Sequence, residues 1–384
     1  MMENNNSVCY VGVVTEVRAI EGADNIELGI VGGWQAIIKK GEYTVGDHVV
    51  VATTDAVIPQ AISDSIGVTN YLRKGQRVRT VKLRGVYSEC LIISFGMLPQ
   101  MKKHFATGIG YYWKEGEDLM DLLGIFKYEP PAVQVQLASG RKVKYHQNPN
   151  FRVYHKFPNL KNVTGMFTEE DEVEITRKIH GTNARYGIVK KKKLSIWDKV
   201  RRFFGNRLIE WEYVYGSHNV EKGSDSQGFY DTDVWRTSAE KYQIREKLWS
   251  LFTQYRDYYE ITEGIVIYGE IYGAGIQKNY DYGLTDTQFA GFDVAINGEY
   301  CHTGKSLDIF QSVLELPYVP ILHGGNWSQE VQDQLVFNNF IEGSKVPHEG
   351  IVIKSIDGNR QKVAKVINPD YLIYGEKHNV GDSH

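Results

Sequence analysis

Lys178-Ile179-His180-Gly181-Thr182-Asn183 is the stretch on which the reading of this chain turns. Before it, Val173 and Ile175 alternate with charged residues; after it, Ala184, Tyr186 and Ile188 alternate with polar ones. Alternation of period two is a strand signal, so Lys178 is placed at a strand end or in the turn between two strands, where a reactive group stays accessible. Further along, Ile244, Leu248, Leu251, Phe252 and Tyr255 follow helical spacing, and Ile265-Val266-Ile267-Tyr268 reads as a buried strand. Strand and helix patterns therefore mix beyond residue 150.

The first 128 residues read differently. Val8 to Val17, Ile26 to Ile38, His48 to Thr53, Val78 to Leu83 and Cys90 to Ser94 are short strand patterns separated by glycine-containing turns. Many short strands with little helix favour a small barrel or sandwich. Glu129-Pro130-Pro131 then opens a stretch without regular apolar period, and adjacent prolines cannot continue a helix. The expected division is a β domain over 1–128, a linker over 129–150 and an α+β domain over 151–384.

Composition narrows the class. The 384 residues carry 44 Lys or Arg against 47 Asp or Glu, and 42% are hydrophobic, so a sizeable core can form. No run approaches the roughly 20 uncharged apolar residues of a membrane span, and no membrane role is expected. The opening Met1-Met2-Glu3-Asn4-Asn5-Asn6 has no basic, then apolar, export pattern, which makes the cytoplasm the expected compartment. Cys9, Cys90 and Cys301 lie too far apart for a CxxC pair or a cysteine-rich zinc site, and read as buried structural thiols. The small net charge of −3 hides a net of +10 over 141–205 and of −11 over 206–384. A basic middle beside an acidic remainder fits a polyanionic partner at one face and metal-binding carboxylates elsewhere. The run Lys190-Lys191-Lys192-Lys193 taken alone is an ordinary solvated loop.

Two motifs fail on inspection. Gly304-Lys305-Ser306 has the ending of a phosphate-binding loop, but the required earlier glycine falls on Glu299, so Ser306 is read as a helix N-cap. Gly273-Ala274-Gly275 begins a dinucleotide fingerprint, yet its third glycine is Lys278.

The KxxG of Lys178 to Gly181 gains weight from its ordered companions. These are Tyr268-Gly269-Glu270-Ile271-Tyr272-Gly273, Phe289-Ala290-Gly291-Phe292-Asp293, Glu349-Gly350-Ile351-Val352-Ile353-Lys354 and Val363-Ala364-Lys365. The series resembles motifs I, III, IIIa, IV and V of the covalent nucleotidyltransferases, the superfamily of ATP-dependent ligases and capping enzymes. Lys178 to Asn183 and Gly273 to Gly283 look most like its RNA ligase 2 branch, over roughly 160–370. Lys82 to Leu91 resembles a turn of OB-type RNA-binding barrels, and an OB domain ahead of the catalytic domain is similar to the RNA ligase 5 family. The resemblance implies an N-terminal OB-type β-barrel followed by a nucleotidyltransferase domain, an ATP-grasp-like adenylation domain of antiparallel sheets and helices.

It also implies roles. Lys178 would attack the α-phosphorus of ATP, which requires a deprotonated amine, and nearby cations or partial burial lower a lysine pKa. Glu270 and Glu349 would support Mg2+, with Mn2+ as an alternative, largely through water. Asn183 and Glu270 would contact the ribose, and Phe292 would stack on the adenine unless it is core. Ile179, His180 and Gly181 belong to the nucleotide-binding turn, where His180 approaches the phosphates or serves as a structural histidine. Lys354 and Lys365 would contact the α-phosphate, since cations placed where charge develops stabilise the transition state. Three positions depart from the family pattern: Ile367 where a second basic residue is usual, Ser217-His218-Asn219 where an arginine is often found, and Arg177 where RNA ligases frequently have an acid. The expected activity is ATP-dependent joining of RNA 3′-hydroxyl and 5′-phosphate ends, with RNA as partner and no obligate protein partner. A DNA ligase or guanylyltransferase on the same domain, and a non-enzymatic RNA-binding protein, are the alternatives.

Overall fold

A computed structural model describes residues 7–72, 76–98, 100–101, 113–128, 148–192, 207–218, 221–222, 233–359 and 361–380. The expected linker, apart from 148–150, lies outside these residues, as do Asn219 and all but the first three residues of the basic stretch read as an insertion from Lys190 to Arg202. The chain divides into two compact units. One is Met1–Val133 with Pro158–Met166, and the other is Gln134–Phe157 with Phe167–His384.

The first unit carries β1 (Cys9–Ala19), β2 (Ile26–Val31), β3 (Trp34–Lys39), β4 (His48–Thr53), β5 (Ala56–Val57), β6 (Val81–Leu83), β7 (Val86–Ser88), β8 (Cys90–Ile93) and β9 (Phe126–Lys127). Five of them form an antiparallel sheet in the order β3-β2-β1-β4-β8. The long β1 pairs with β4 through Cys9–Val13 and with β2 through Val14–Ala19, with a bulge between Val14 and Glu16. A bulge bends and twists a strand, which lets one strand serve both halves of a curling sheet. The free edge of β3 then meets the chain where β7 runs into β8: the Glu89 N–H donates to the Gln35 carbonyl at 2.8 Å, and the Ile37 N–H to Ser88 Oγ at 3.1 Å. The result is the nearly closed OB-like barrel expected from the sequence.

The apolar run of β4 is buried on both sides. Val49 and Val51 enter a cluster with Val14, Trp34 and Ile38, whereas Val50 and Ala52 enter one with Ile62, Leu98 and Leu123. The expected strand Ile26 to Ile38 is two strands, because Gly32 takes φ +56° and turns the chain between them. Residues 158–166 return to this unit: Lys161 donates to the buried Glu89, and its backbone lies so close to Gly33 that a Cβ there would meet Lys161 Cα at 2.6 Å. Cys9, Cys90 and Cys301 are free and buried, as read from their spacing. No helix among the described residues is long and apolar enough to cross a membrane.

The second unit carries β10 (Glu172–Lys178), β11 (Thr182–Lys190), β12 (Trp211–Gly216), β13 (Glu221–Lys222), β14 (Gly264–Gly273), β15 (Thr287–Ile296), β16 (Glu299–Tyr300), β17 (Ile321–Asn326), β18 (Gly350–Ser355) and β19 (Val363–Ile367). They build two antiparallel sheets, β17-β10-β18-β19 and β13-β12-β11-β14-β15-β16. The helices Val234–Lys241 and Ile244–Tyr255 cover one face of the larger sheet, where Trp235, Ile244, Leu248 and Phe252 pack on Tyr186, Ile188, Ile265 and Ile267. Its other face is also covered, by Phe151 and Tyr154 over Val189, Val214, Val266 and Tyr268. Ser306 is not an N-cap: the helix Thr303–Asp308 is capped by His302, whose Nδ1 accepts from the Lys305 N–H at 3.1 Å. Ser306 instead lies inside the helix, fully buried, with its hydroxyl 3.3 Å from Asp293 Oδ1.

Candidate active site

The strand β10 ends at Lys178 and β11 begins at Thr182, so Ile179-His180-Gly181 carries the chain from the smaller sheet to the larger one. That crossing explains the glycine. A Cβ at Gly181 would lie 2.2 Å from the Ile271 carbonyl oxygen and 2.9 Å from Glu270 Cγ, so only a residue without a side chain lets the turn approach β14. Gln277 Nε2 donates to the Gly181 carbonyl at 2.6 Å, and the His180 N–H donates to Tyr282 Oη at 2.5 Å. Ile179 is buried with Ala290 and Val319, and the buried His180 ring rests edge-on against Tyr280 and Tyr371.

Register decides which side chains share the cleft. Lys178 pairs with Gly350 and Glu174 with Lys354; across the next seam, Gly350 pairs with Ile367 and Val352 with Lys365. Directly paired residues of an antiparallel sheet point to one face, and alternate residues repeat it. Lys178, Lys354 and Lys365 therefore stand on the same face of the smaller sheet. In the larger sheet Asn183 pairs with Glu270, and Glu270 with Ala290, which groups those residues likewise.

The Lys178 ammonium donates to Glu349 Oε1 at 2.6 Å. The second oxygen, Oε2, is buried and has no hydrogen-bond partner, and the same holds for Asn183 Oδ1. Both are acceptors awaiting a donor or a cation. Burial pushes the Glu270 carboxyl up to about 8; the Lys178 cation opposes this, the Glu349 carboxylate adds to it, and a hydrogen bond from the Gly181 backbone N–H opposes it. A buried carboxyl that also feels a second carboxylate favours either a proton or a neighbouring cation. Among the described residues no group of three or more His, Cys, Asp or Glu comes together as a metal site. Magnesium needs few protein ligands because it keeps its waters, so the Glu270 and Glu349 pair fits it and does not fit a fully protein-caged ion.

Phe292 occupies the extra position of a bulge: Tyr268 pairs with Asp293 and Gly269 with Gly291, leaving Phe292 between them. Bulges re-aim side chains, and this ring is half-buried, with Tyr154 edge-on at 5.0 Å. Lys354 is turned aside from the cleft. Its side chain is 4% exposed, and its ammonium donates to the Phe292 carbonyl at 2.6 Å and to Asp293 Oδ2 at 3.3 Å. Lys365 is half-buried on β19. Arg177 faces the other way, donating to Asn339 Oδ1 at 2.9 Å, and its guanidinium pKa is lowered by burial.

Sequence reading passed over Arg185 and Tyr154. Arg185 is buried on the same sheet face as Asn183 and Glu270, donating to the backbone carbonyls of Phe151 and Ser217. It thereby ties the Ser217-His218 corner to the sheet. Its position between Ala184 and Tyr186 is the outward phase of an alternating strand; the only signal against exposure was the aromatic density of 151–157.

Comparison with known proteins follows this geometry. A family model described as RNA ligase matches residues 171–367, and one described as an OB-fold domain matches residues 8–95. No protein of curated function matches the sequence. Among solved structures, a lysine-to-alanine mutant of Naegleria gruberi RNA ligase with ATP and manganese superposes with a TM-score of 0.66 at 22% identity, over 97% of this chain and 99% of that one. A glutamate-to-alanine mutant of the same ligase with AMP and manganese gives 0.66 at 20% identity, and the ligase with pyrophosphate 0.65 at 21%, over the same shares of both chains.

Proposed function

Because this chain belongs to the RNA ligase family, we propose that it joins RNA 3′-hydroxyl and 5′-phosphate ends with ATP, through covalent adenylation of Lys178. The observation that carries the reading is Lys178 at a strand end, 2.6 Å from Glu349, close enough to Glu270 to act on its carboxyl and on the same sheet face as Lys365. The ligases of similar fold solved with ATP, AMP, pyrophosphate and manganese support the choice of nucleotide and ion.

In the first step the Lys178 amine, released from Glu349 and having lost a proton, attacks the α-phosphorus. An N–P bond forms and pyrophosphate leaves with the electrons of the broken P–O bond. Magnesium, when bound, neutralises phosphate charge and lowers the pKa of the neighbouring amine. Glu349 orients the amine before attack, and with Glu270 it supplies the carboxylates that hold hydrated metal. Lys365 stabilises charge on the α-phosphate, Asn183 Oδ1 accepts from a ribose hydroxyl, and Phe292 covers the adenine. Gly181 and Ile179 shape the turn under the nucleotide, and His180 holds that turn against Tyr280 and Tyr371. In the second step a 5′-phosphate oxygen of RNA attacks the AMP phosphorus, the N–P bond breaks and Lys178 is freed; in the third a 3′-hydroxyl attacks the phosphorus of that RNA 5′-phosphate, loses its proton, and AMP departs with the electrons of the broken P–O bond. Residues 1–128 and the basic segment 141–205 position the RNA, 129–150 link the parts, and 151–384 carry out adenylation.

Incubation with α-labelled ATP and Mg2+, followed by denaturing electrophoresis, tests the reading. A labelled protein band is expected with ATP and none with GTP. A Lys178→Ala variant that labels normally overturns the nucleophile, labelling by GTP points to a guanylyltransferase, and no label in the parent leaves a binding protein.

A further inference from the structure

We infer that Lys354 is a positioning residue: it holds the Phe292 bulge against the smaller sheet, so that the aromatic ring is fixed where the nucleotide base must lie. The inference rests on the proposed nucleotide site and changes the part Lys354 plays in it. The ammonium sits on β18 of one sheet and its partners on β15 of the other, so this single side chain clamps the two sheets at the bulge. The same joint is held from three more sides. Tyr318 Oη donates to the Phe292 carbonyl at 3.1 Å, Tyr154 Oη donates to Asp293 Oδ2 at 2.8 Å, and the Ser306 hydroxyl lies 3.3 Å from Asp293 Oδ1.

The charged groups of this knot are buried. Asp293 is 1% exposed and Glu174, paired in register with Lys354, is 7% exposed. An ammonium so enclosed, with one N–H on a carbonyl and another on a carboxylate, has almost no solvent-facing surface to offer a phosphate. Its charge is required where it stands, because without it the buried Asp293 carboxylate loses the cation that faces it. The extra residue of a bulge has no ladder partner to hold it, so the Phe292 carbonyl depends on Lys354 and Tyr318 for its place. A ring that packs on the base in ground and transition states alike contributes to nucleotide binding and little to the chemical step.

The test separates binding from rate. Lys354→Met should raise the ATP concentration for half-maximal adduct formation about tenfold while the rate at saturating ATP stays within about threefold of the parent. Adding Asp293→Asn should recover the melting temperature lost with the lysine and leave the raised ATP requirement in place, a combination that a merely structural lysine would not produce. A fall of about a hundredfold or more in the saturating rate, with the ATP requirement unchanged, overturns the inference and makes Lys354 a phosphate contact. Should Lys354→Met not fold, Tyr154→Phe decides, since it removes one hold on Asp293 without stranding a charge. About a threefold rise in the ATP requirement supports the inference, and no change overturns it. If the parent itself forms no adduct, the proposed function fails separately. Calorimetric ATP binding by parent and Lys354→Met then takes over, with weaker binding by the variant supporting the clamp and equal binding overturning it.

Discussion

At the scale of single residues, Gly181 and Glu270 yield the sharpest expectations. Gly181→Ala drives a methyl into the Ile271 carbonyl. Overpacking of this kind costs about 1–3 kcal/mol. We expect a lower urea midpoint together with loss of the Lys178 adduct; a variant that labels at the parental rate would show that the turn can shift without harm. Glu270 has its carboxyl pushed up to about 8 from an ordinary 4.5. An acid raised in the folded state costs nothing below its unfolded pKa and destabilises increasingly as pH rises toward the folded pKa, because the unfolded chain releases the proton first. Without metal, stability should therefore fall between about pH 4.5 and 8, and Glu270→Gln should flatten that part of the profile. Parallel urea titrations across this range check it, and profiles of equal slope would remove Glu270 as the cause.

At the scale of elements, the site depends on how strands and helices end. Asn368 caps the helix Pro369–His378: its Oδ1 accepts from the Asp370 N–H at 3.0 Å and its Nδ2 donates to the His348 carbonyl at 3.1 Å. The Asn368 N–H also donates to the Glu349 carbonyl at 2.8 Å, so the cap holds the backbone that presents Glu349 to Lys178. Losing such a cap costs about 1–2 kcal/mol. Asn368→Ala should show that loss and also slow adenylation at saturating ATP, whereas Asn368→Asp should retain most of the cap. Rapid-quench measurement of adduct formation separates the two, and a variant that is destabilised yet adenylates normally would confine Asn368 to stability. Reading at this scale succeeded where periodicity is long and one-sided, as in Ile244–Tyr255. It failed at Ile26 to Ile38 and at Ser306, where two glycines and a histidine cap decide the boundary through local geometry that an apolar pattern does not encode.

At the scale of the molecule, residues 158–166 are built into the first unit although they follow the linker. The contact of Lys161 with Glu89 is nearly enclosed, with side-chain exposures of 16% and 5%. Removing one partner of a buried pair costs about 3–5 kcal/mol, because the other is left charged and unpaired. Lys161→Met should lower the melting of the first unit by that order, and Glu89→Gln added to it should restore part. Trp fluorescence of Trp34, which lies 5.6 Å beneath the Lys161 ammonium, gives a local signal, and an unchanged transition would show the pair to be dispensable. RNA engagement belongs to this scale too. If the basic segment contacts phosphates, neutralising Lys190 to Lys193 should leave the ATP adduct intact, weaken RNA binding and flatten its salt dependence. Binding and sealing that match the parent across a salt titration would dismiss the segment.

The sequence alone determined the class of fold and the order of its parts, because strand alternation, glycine turns and five ordered motifs are local patterns that survive without knowledge of partners. It determined that Lys178 lies at a strand end or in the turn between two strands, for the same reason. Only the tertiary structure decided which neighbours each motif residue has. Lys354 and Lys365 look alike in sequence as lysines of short apolar strands, yet one is 3% exposed against Asp293 and the other half-buried on the next strand. Arg185 reads as an outward residue and is buried, because a sheet covered on both faces gives alternate residues no solvent side to choose. Burial, pairing and the displaced pKa of Glu270 arise from segments far apart in the chain meeting in space, and no local pattern carries that information.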